Sequence, residues 1–132
     1  MILATIWVAI GGAIGSVARF WLTEVSARWW GAEFPWGTVI ANVTGSFLIG
    51  LIAALPVMGP RDMLGPMGRQ FLMVGIMGGY TTFSSFSLQT LTMVQHGHLA
   101  KAALNVGGSV VLCLIAVAAG YALGAAISAT KA

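Results

Sequence analysis

Charge is what this sequence has least of. Of 132 residues only 7% are charged: three acids against six bases. A water-soluble domain of ordinary composition carries roughly 25% charged residues to cover its surface. So few leave a folded globule of this length uncovered, and lipid has to replace the missing polar surface. The net charge of +3 does not point to nucleic acid, because the six bases are scattered and build no basic patch. Cysteine is nearly absent as well. Cys113 stands alone, which rules out a disulfide framework and a C-x-x-C metal site. No Walker loop, catalytic Ser/His/Asp set or metal-ligand cluster can be found, and nothing indicates an enzyme.

Apolar residues fill the space. They make up 58% of the chain, with a mean hydropathy of +0.94. Four stretches reach the ~20 apolar residues that a membrane helix needs. They run over about 2–22, 37–57, 67–94 and 101–127. Prolines and charges fall between them, and no separate soluble domain, linker or low-complexity tract is left, so the whole chain, 1–132, reads as one transmembrane unit. The opening Met1-Ile2-Leu3-Ala4 has no basic residue ahead of the first stretch, which is therefore expected to be a span rather than a cleaved leader. Trp29, Trp30 and Trp36 fall in the first connection, where an interfacial aromatic belt is expected. Gly11-x-x-x-Gly15, Gly75-x-x-x-Gly79 and Gly120-x-x-x-Gly124 are spacings that allow close helix contact.

The basic residues do not choose an orientation. With four spans, one face carries Arg61, Arg69 and Lys131, and the other carries Arg19, Arg28 and Lys101. Lysine and arginine bias normally sets the cytoplasmic side. A balance of three against three lets the chain insert both ways and pair with an inverted copy.

The rare polar residues concentrate in the third span. Gly78-Gly79-Tyr80-Thr81-Thr82-Phe83-Ser84-Ser85-Phe86-Ser87 suits a helix that unwinds mid-membrane, where freed carbonyls take a cation and the next amides take an anion. A continuous helix whose hydroxyls bond back to its own carbonyls is the other arrangement the pattern allows. Phe83 and Phe86, three apart, share a face and present either packing surface or positive ring edges. Thr38, Asn42 and Ser46 form an uncharged stripe on the second span, and Asn105, Ser109 and Cys113 form one on the fourth. Such stripes serve as a donor track or as helix-to-helix hydrogen bonding. Glu24, Glu33 and Asp62 all lie in or beside connections, so no carboxylate is available mid-membrane for proton-coupled antiport of the small multidrug type. His96 and His98 fall in the third connection. A structural subunit of a larger membrane complex is the remaining rival.

Gly12-x-x-Gly15-x-x-x-Arg19-Phe20, Gly37-Thr38-x-x-x-Asn42-x-x-Gly45-Ser46-Phe47-x-x-Gly50 and the Gly78–Phe86 motif together resemble the Fluc (CrcB) fluoride channels, in the same order along nearly the whole chain. The resemblance implies an all-α integral protein of the inner (plasma) membrane. It would be a dual-topology, antiparallel homodimer with a broken third helix, and its two pores would let cytoplasmic fluoride leak out. It implies that Phe83 and Phe86 line the ion path, that Asn42 donates to fluoride and that Ser109 lies on the polar track. Asn105 and Cys113 occupy flanking track positions. Backbone carbonyls of Gly78 and Thr81 from both subunits would hold a structural sodium, and Arg19 would draw anions into the vestibule. Ser85 stands where the family pattern more often has threonine, and the hydroxyl is kept. Epitopes placed at the termini are expected on both faces of the membrane in cells; detection on one face only would overturn the charge-balance argument.

Overall fold

A computed structural model of the protein describes residues 1–56 and 64–130. Arg61, Asp62, Lys131 and the expected end of the second span at Val57 lie outside the described residues. The elements in chain order are α1 (Ile2–Trp30), α2 (Trp36–Ala53), α3 (Gly65–Arg69), a π-helical segment (Gln70–Met77), α4 (Gly78–Tyr80), α5 (Phe83–Gln95) and α6 (Leu99–Thr130). From α3 to α5 they make one span, Gly65–Gln95, giving four spans long and apolar enough to cross a membrane. The chain is thus an all-α, multi-pass membrane protein.

Three features depart from the pattern of the sequence. First, α1 runs to Trp30, so Thr23, Glu24, Arg28, Trp29 and Trp30 are helical rather than part of a connection. Neither proline nor glycine interrupts 16–30, and the helix ends only at Gly31, whose φ of 81° suits a residue without Cβ. At 29 residues it is roughly 43 Å long, well beyond a hydrocarbon core of about 30 Å. Arg19 accordingly lies well inside α1 and not at its end. Second, α2 stops at Ala53, short of the expected boundary. Arg69 closes this end: Nη1 donates to Ile52 O in the last turn at 3.2 Å, and Nη2 donates to Leu55 O and, at 2.9 Å, to Pro56 O just beyond it. A guanidinium there satisfies orphan acceptors and opposes the negative end of the helix. Third, the eight residues of Gln70–Met77 form a π-helix, a rare state that sequence periodicity does not announce.

Two glycine seams hold the spans together. A Cβ on Gly15 would meet Ile76 O at 2.1 Å, one on Gly11 would meet Phe71 O at 2.7 Å, and one on Gly79 would meet Gly12 O at 2.4 Å. α1 therefore lies directly on the backbone of the third span. On the other side, a Cβ on Gly120 would meet Phe47 O at 2.0 Å and one on Gly50 would meet Val117 O at 2.3 Å, which joins α2 to α6. All three glycine pairs of the sequence lie in these seams. In lipid, where apolar side chains gain little by leaving their surroundings, such backbone proximity supplies the dispersion energy for association. Gly15→Ala is expected to lower the melting temperature sharply, in line with the roughly 1–3 kcal/mol cost of overpacking. Gly12→Ala, whose Cβ meets nothing nearer than Gly75 O at 4.0 Å, serves as the control and melts near the wild type.

Candidate functional site

The third span breaks at Thr81 and Thr82. Both residues are extended, with φ/ψ of −84°/156° and −155°/119°. The glycines ahead of them, Gly78 and Gly79, remain helical. Helical bonding persists as far as Thr81, whose N–H donates to Met77 O at 2.9 Å while its hydroxyl donates to the same carbonyl at 2.8 Å. Beyond that point side chains replace the backbone ladder. Thr82 N–H donates to Asn42 Oδ1 at 2.7 Å, and Asn42 Nδ2 donates to Thr82 O at 3.0 Å. The Thr82 hydroxyl accepts from Ser85 N–H at 3.1 Å and so caps α5. On the α1 side, Arg19 Nε donates to Gly79 O at 3.2 Å, with Ser16 Oγ on the same carbonyl at 3.5 Å. Arg19 thus places its charge at the C-terminal end of the half-helix that precedes the break, where a cation is favoured.

Around the break lies a cavity of about 330 Å³. Asn42, Ser46, Phe83, Phe86, Ser109 and Cys113 line it, together with Gly78 and Thr81. Three spans supply these residues because the stripes on α2 and α6 converge on the top of α5. Phe83 and Phe86 contact each other, with ring centroids 5.3 Å apart and planes inclined by 46°. Phe86 is buried, whereas Phe83 is 77% exposed on the surface of the single chain. Among the described residues no carboxylate, lysine, arginine or histidine lines the cavity.

Three of the residues selected from sequence do not line it. Thr38 and Asn105 are buried between helices, at 2% and 0% exposure. Asn105 Nδ2 donates to Thr90 Oγ1 at 2.9 Å, and Ser109 Oγ reaches Asn105 Oδ1 at 3.4 Å, so Asn105 links α5 to the polar row of α6. Arg19 acts from behind the break. Sequence reasoning passed over Thr82, whose position just before a helical run and three residues ahead of Ser85 is an N-cap signal. It also passed over Gly45, where a Cβ would meet Thr81 Cγ2 at 2.3 Å. At the membrane end of α5, His96 Nδ1 lies 2.8 Å from Thr92 O. Close by, Lys101 Nζ pairs with Glu33 at 2.6 Å. The hydrogen bond and charge of Lys101 hold the Glu33 carboxyl below its ordinary pKa, so this surface tie is present at neutral pH and is lost as pH falls through the lowered value.

Fold and site together define a multi-pass membrane protein that gathers an uncharged, hydrogen-bonding cavity around a broken helix. The chain belongs to the CrcB family: the family model described as "CrcB-like protein, Camphor Resistance (CrcB)" matches residues 6–121. Its relatives include a protein of Opitutus terrae, 48% identical over 126 residues, covering 96% of each chain. Another, from Methylocella silvestris, is also 48% identical over 126 residues, again with 96% of each chain covered. A third, from Rhodospirillum rubrum, is 52% identical over 116 residues, covering 88% of this chain and 90% of the relative. Each of the three bears the name fluoride-specific ion channel FluC. Thr90→Val would leave the buried Asn105 amide without its acceptor, a loss of roughly 1–3 kcal/mol. A clear fall in melting temperature is expected, and an unchanged one would show that Asn105 finds another partner.

Proposed function

We propose that this chain forms a fluoride-selective channel of the plasma membrane that lets cytoplasmic fluoride leave passively. The observation that carries the reading is the neutral donor-lined cavity at the broken third span, in a chain whose relatives along nearly their full length are named for fluoride. Fluoride is small and strongly hydrated. Moving even a carboxylate-sized ion into a low dielectric costs on the order of 20 kcal/mol in the ideal limit. A pore has to replace water with donors and still release the ion, so moderate neutral sites serve better than a lysine or arginine in the path. Asn42 meets this need. One hydrogen of its Nδ2 goes to Thr82 O, and the second remains for an anion. The Ser109 hydroxyl, held only by a 3.4 Å contact, is free to turn toward the ion. The inclined rings of Phe83 and Phe86 offer edges of positive potential beside the same cavity. A narrow track of such groups excludes the larger chloride by size.

The reading includes a dual-topology homodimer with two antiparallel pores. Balanced basic residues and the exposed Phe83 beside the cavity support it, since an inverted partner would cover that ring. It also includes a structural sodium held by backbone carbonyls of Gly78 and Thr81 from both copies. The donor chemistry fits, because the break leaves carbonyl oxygens without their helical N–H partners and such oxygens suit a hard monovalent cation. Bound there, sodium would supply a fixed positive charge behind the cavity.

Fluoride efflux from liposomes containing the purified protein, with chloride as the control ion, is the direct test. Passive fluoride efflux is the expected result. Absence of fluoride flux would return the chain to a structural role in a larger complex, and proton movement coupled to substrate would make it an antiporter. Asn42→Leu removes a hydrogen bond to an ion, worth about 1.5–3 kcal/mol, and is expected to cut flux by roughly 10- to 150-fold or abolish it while the dimer still forms. Phe83→Ile and Phe86→Ile are expected to slow throughput, and unchanged conductance would reduce both rings to packing.

A further inference from the structure

We propose that Asn42 and Thr82 are positioning residues that create the cation site, each by drawing one backbone N–H away from the carbonyl that a helix would give it. In an unbroken helix, Thr82 N–H would donate to Gly78 O and Ser85 N–H to Thr81 O. Here Asn42 Oδ1 takes the first at 2.7 Å, and Thr82 Oγ1 takes the second at 3.1 Å. The two carbonyls that lose their donors are those of Gly78 and Thr81, and both residues line the cavity at the break. The carbonyls on either side of Gly78 fare differently. Met77 O keeps Thr81 N–H and gains the Thr81 hydroxyl, while Gly79 O receives Arg19 Nε. Tyr80 O loses Ser84 N–H at the same break, so side chains decide which oxygens are covered, those of Met77 and Gly79, and leave the Gly78 and Thr81 oxygens among the open ones.

This inference rests on the sodium proposed above and states how this chain makes room for it. Carbonyl oxygens in an apolar surround carry a desolvation cost until something pairs with them. They are neutral ligands, and the Arg19 guanidinium already stands on the next carbonyl, so a monovalent cation is favoured over a divalent one. One peptide joins the two functions. Asn42 faces the cavity with its amide while its oxygen holds Thr82 N–H off Gly78 O. Occupancy of the cation site and the setting of the Asn42 amide are thereby coupled, and linkage makes such coupling reciprocal.

The test is the melting temperature of the purified full-length protein in detergent as sodium chloride replaces choline chloride at constant ionic strength. A cation that binds the folded state alone raises the wild-type melting temperature with concentration. Thr82→Val, near-isosteric but without the hydroxyl, is expected to need at least about ten-fold more sodium for the same shift, and Thr82→Ser restores the wild-type response. Asn42→Leu gives the same loss and supplies a second arm should Thr82→Val not fold. Gly12→Ala, whose added Cβ meets nothing nearer than Gly75 O at 4.0 Å and which lies away from the cavity, keeps the sodium response. A Thr82→Val or Asn42→Leu protein that titrates like the wild type overturns the inference and leaves the sodium reading standing. A wild type indifferent to sodium overturns both, while fluoride efflux still reports separately on the channel.

Discussion

The grip of Asn42 on Thr82 is the interaction on which the rest of this structure depends. A helix broken in the middle of a membrane exposes N–H and C=O groups where no water can reach them, each at a cost of several kcal/mol. One carboxamide answers both halves of the problem, accepting from Thr82 N–H and donating to Thr82 O. The Thr82 side chain then caps the half-helix that follows, and Arg19 neutralises the end of the half-helix that precedes it. α2 and α5 are thus tied to the irregular dipeptide itself, and α1 to Gly79 just ahead of it.

That arrangement brings chemistry to a fixed depth in the bilayer. The broken span contributes unpaired carbonyls on one side and the amide end of α5 on the other, both in a low dielectric where partial charges act strongly. Among the described residues no formally charged side chain lines the cavity, and the Arg19 guanidinium behind the break is engaged on Gly79 O. Such a site offers an anion several moderate contacts and no trap. Glycine serves the same end, because the α1 backbone lies against the third span at distances that a single Cβ would prohibit, and α2 presents Gly45 to the Thr81 side chain where a Cβ would meet Cγ2 at 2.3 Å.

Much of this was open to a reader of the residues. The four spans follow from apolar runs of about 20 residues or more, and a break was one of two arrangements that two glycines and a dense run of hydroxyls allowed where lipid permits few. Asn42, Ser46, Ser109 and Cys113 stand out because an uncharged polar group at helical spacing in an apolar stretch is conspicuous. The places where the pattern misled are equally physical. α1 outlasts its apolar run because helical hydrogen bonding does not depend on hydropathy, and residues 16–30 hold no proline or glycine to end it before Gly31. Thr38 and Asn105 share their stripes with the cavity residues, yet a stripe gives direction around a helix and not distance to its neighbour. Both are sealed between helices, with Asn105 held by Thr90.

The sequence by itself determined the solvent, the number of spans and the list of polar groups able to act, since these depend on composition and period along a single chain. It also placed the chain among relatives of one family. Tertiary structure alone decided which carbonyls lost their donors, which way the Asn42 amide faced and where the Arg19 charge came to rest. Hydrogen bonds between residues 40 and 60 positions apart leave no local signature. They exist only once two helices meet, and two helices meet at backbone distance only where glycine leaves the space.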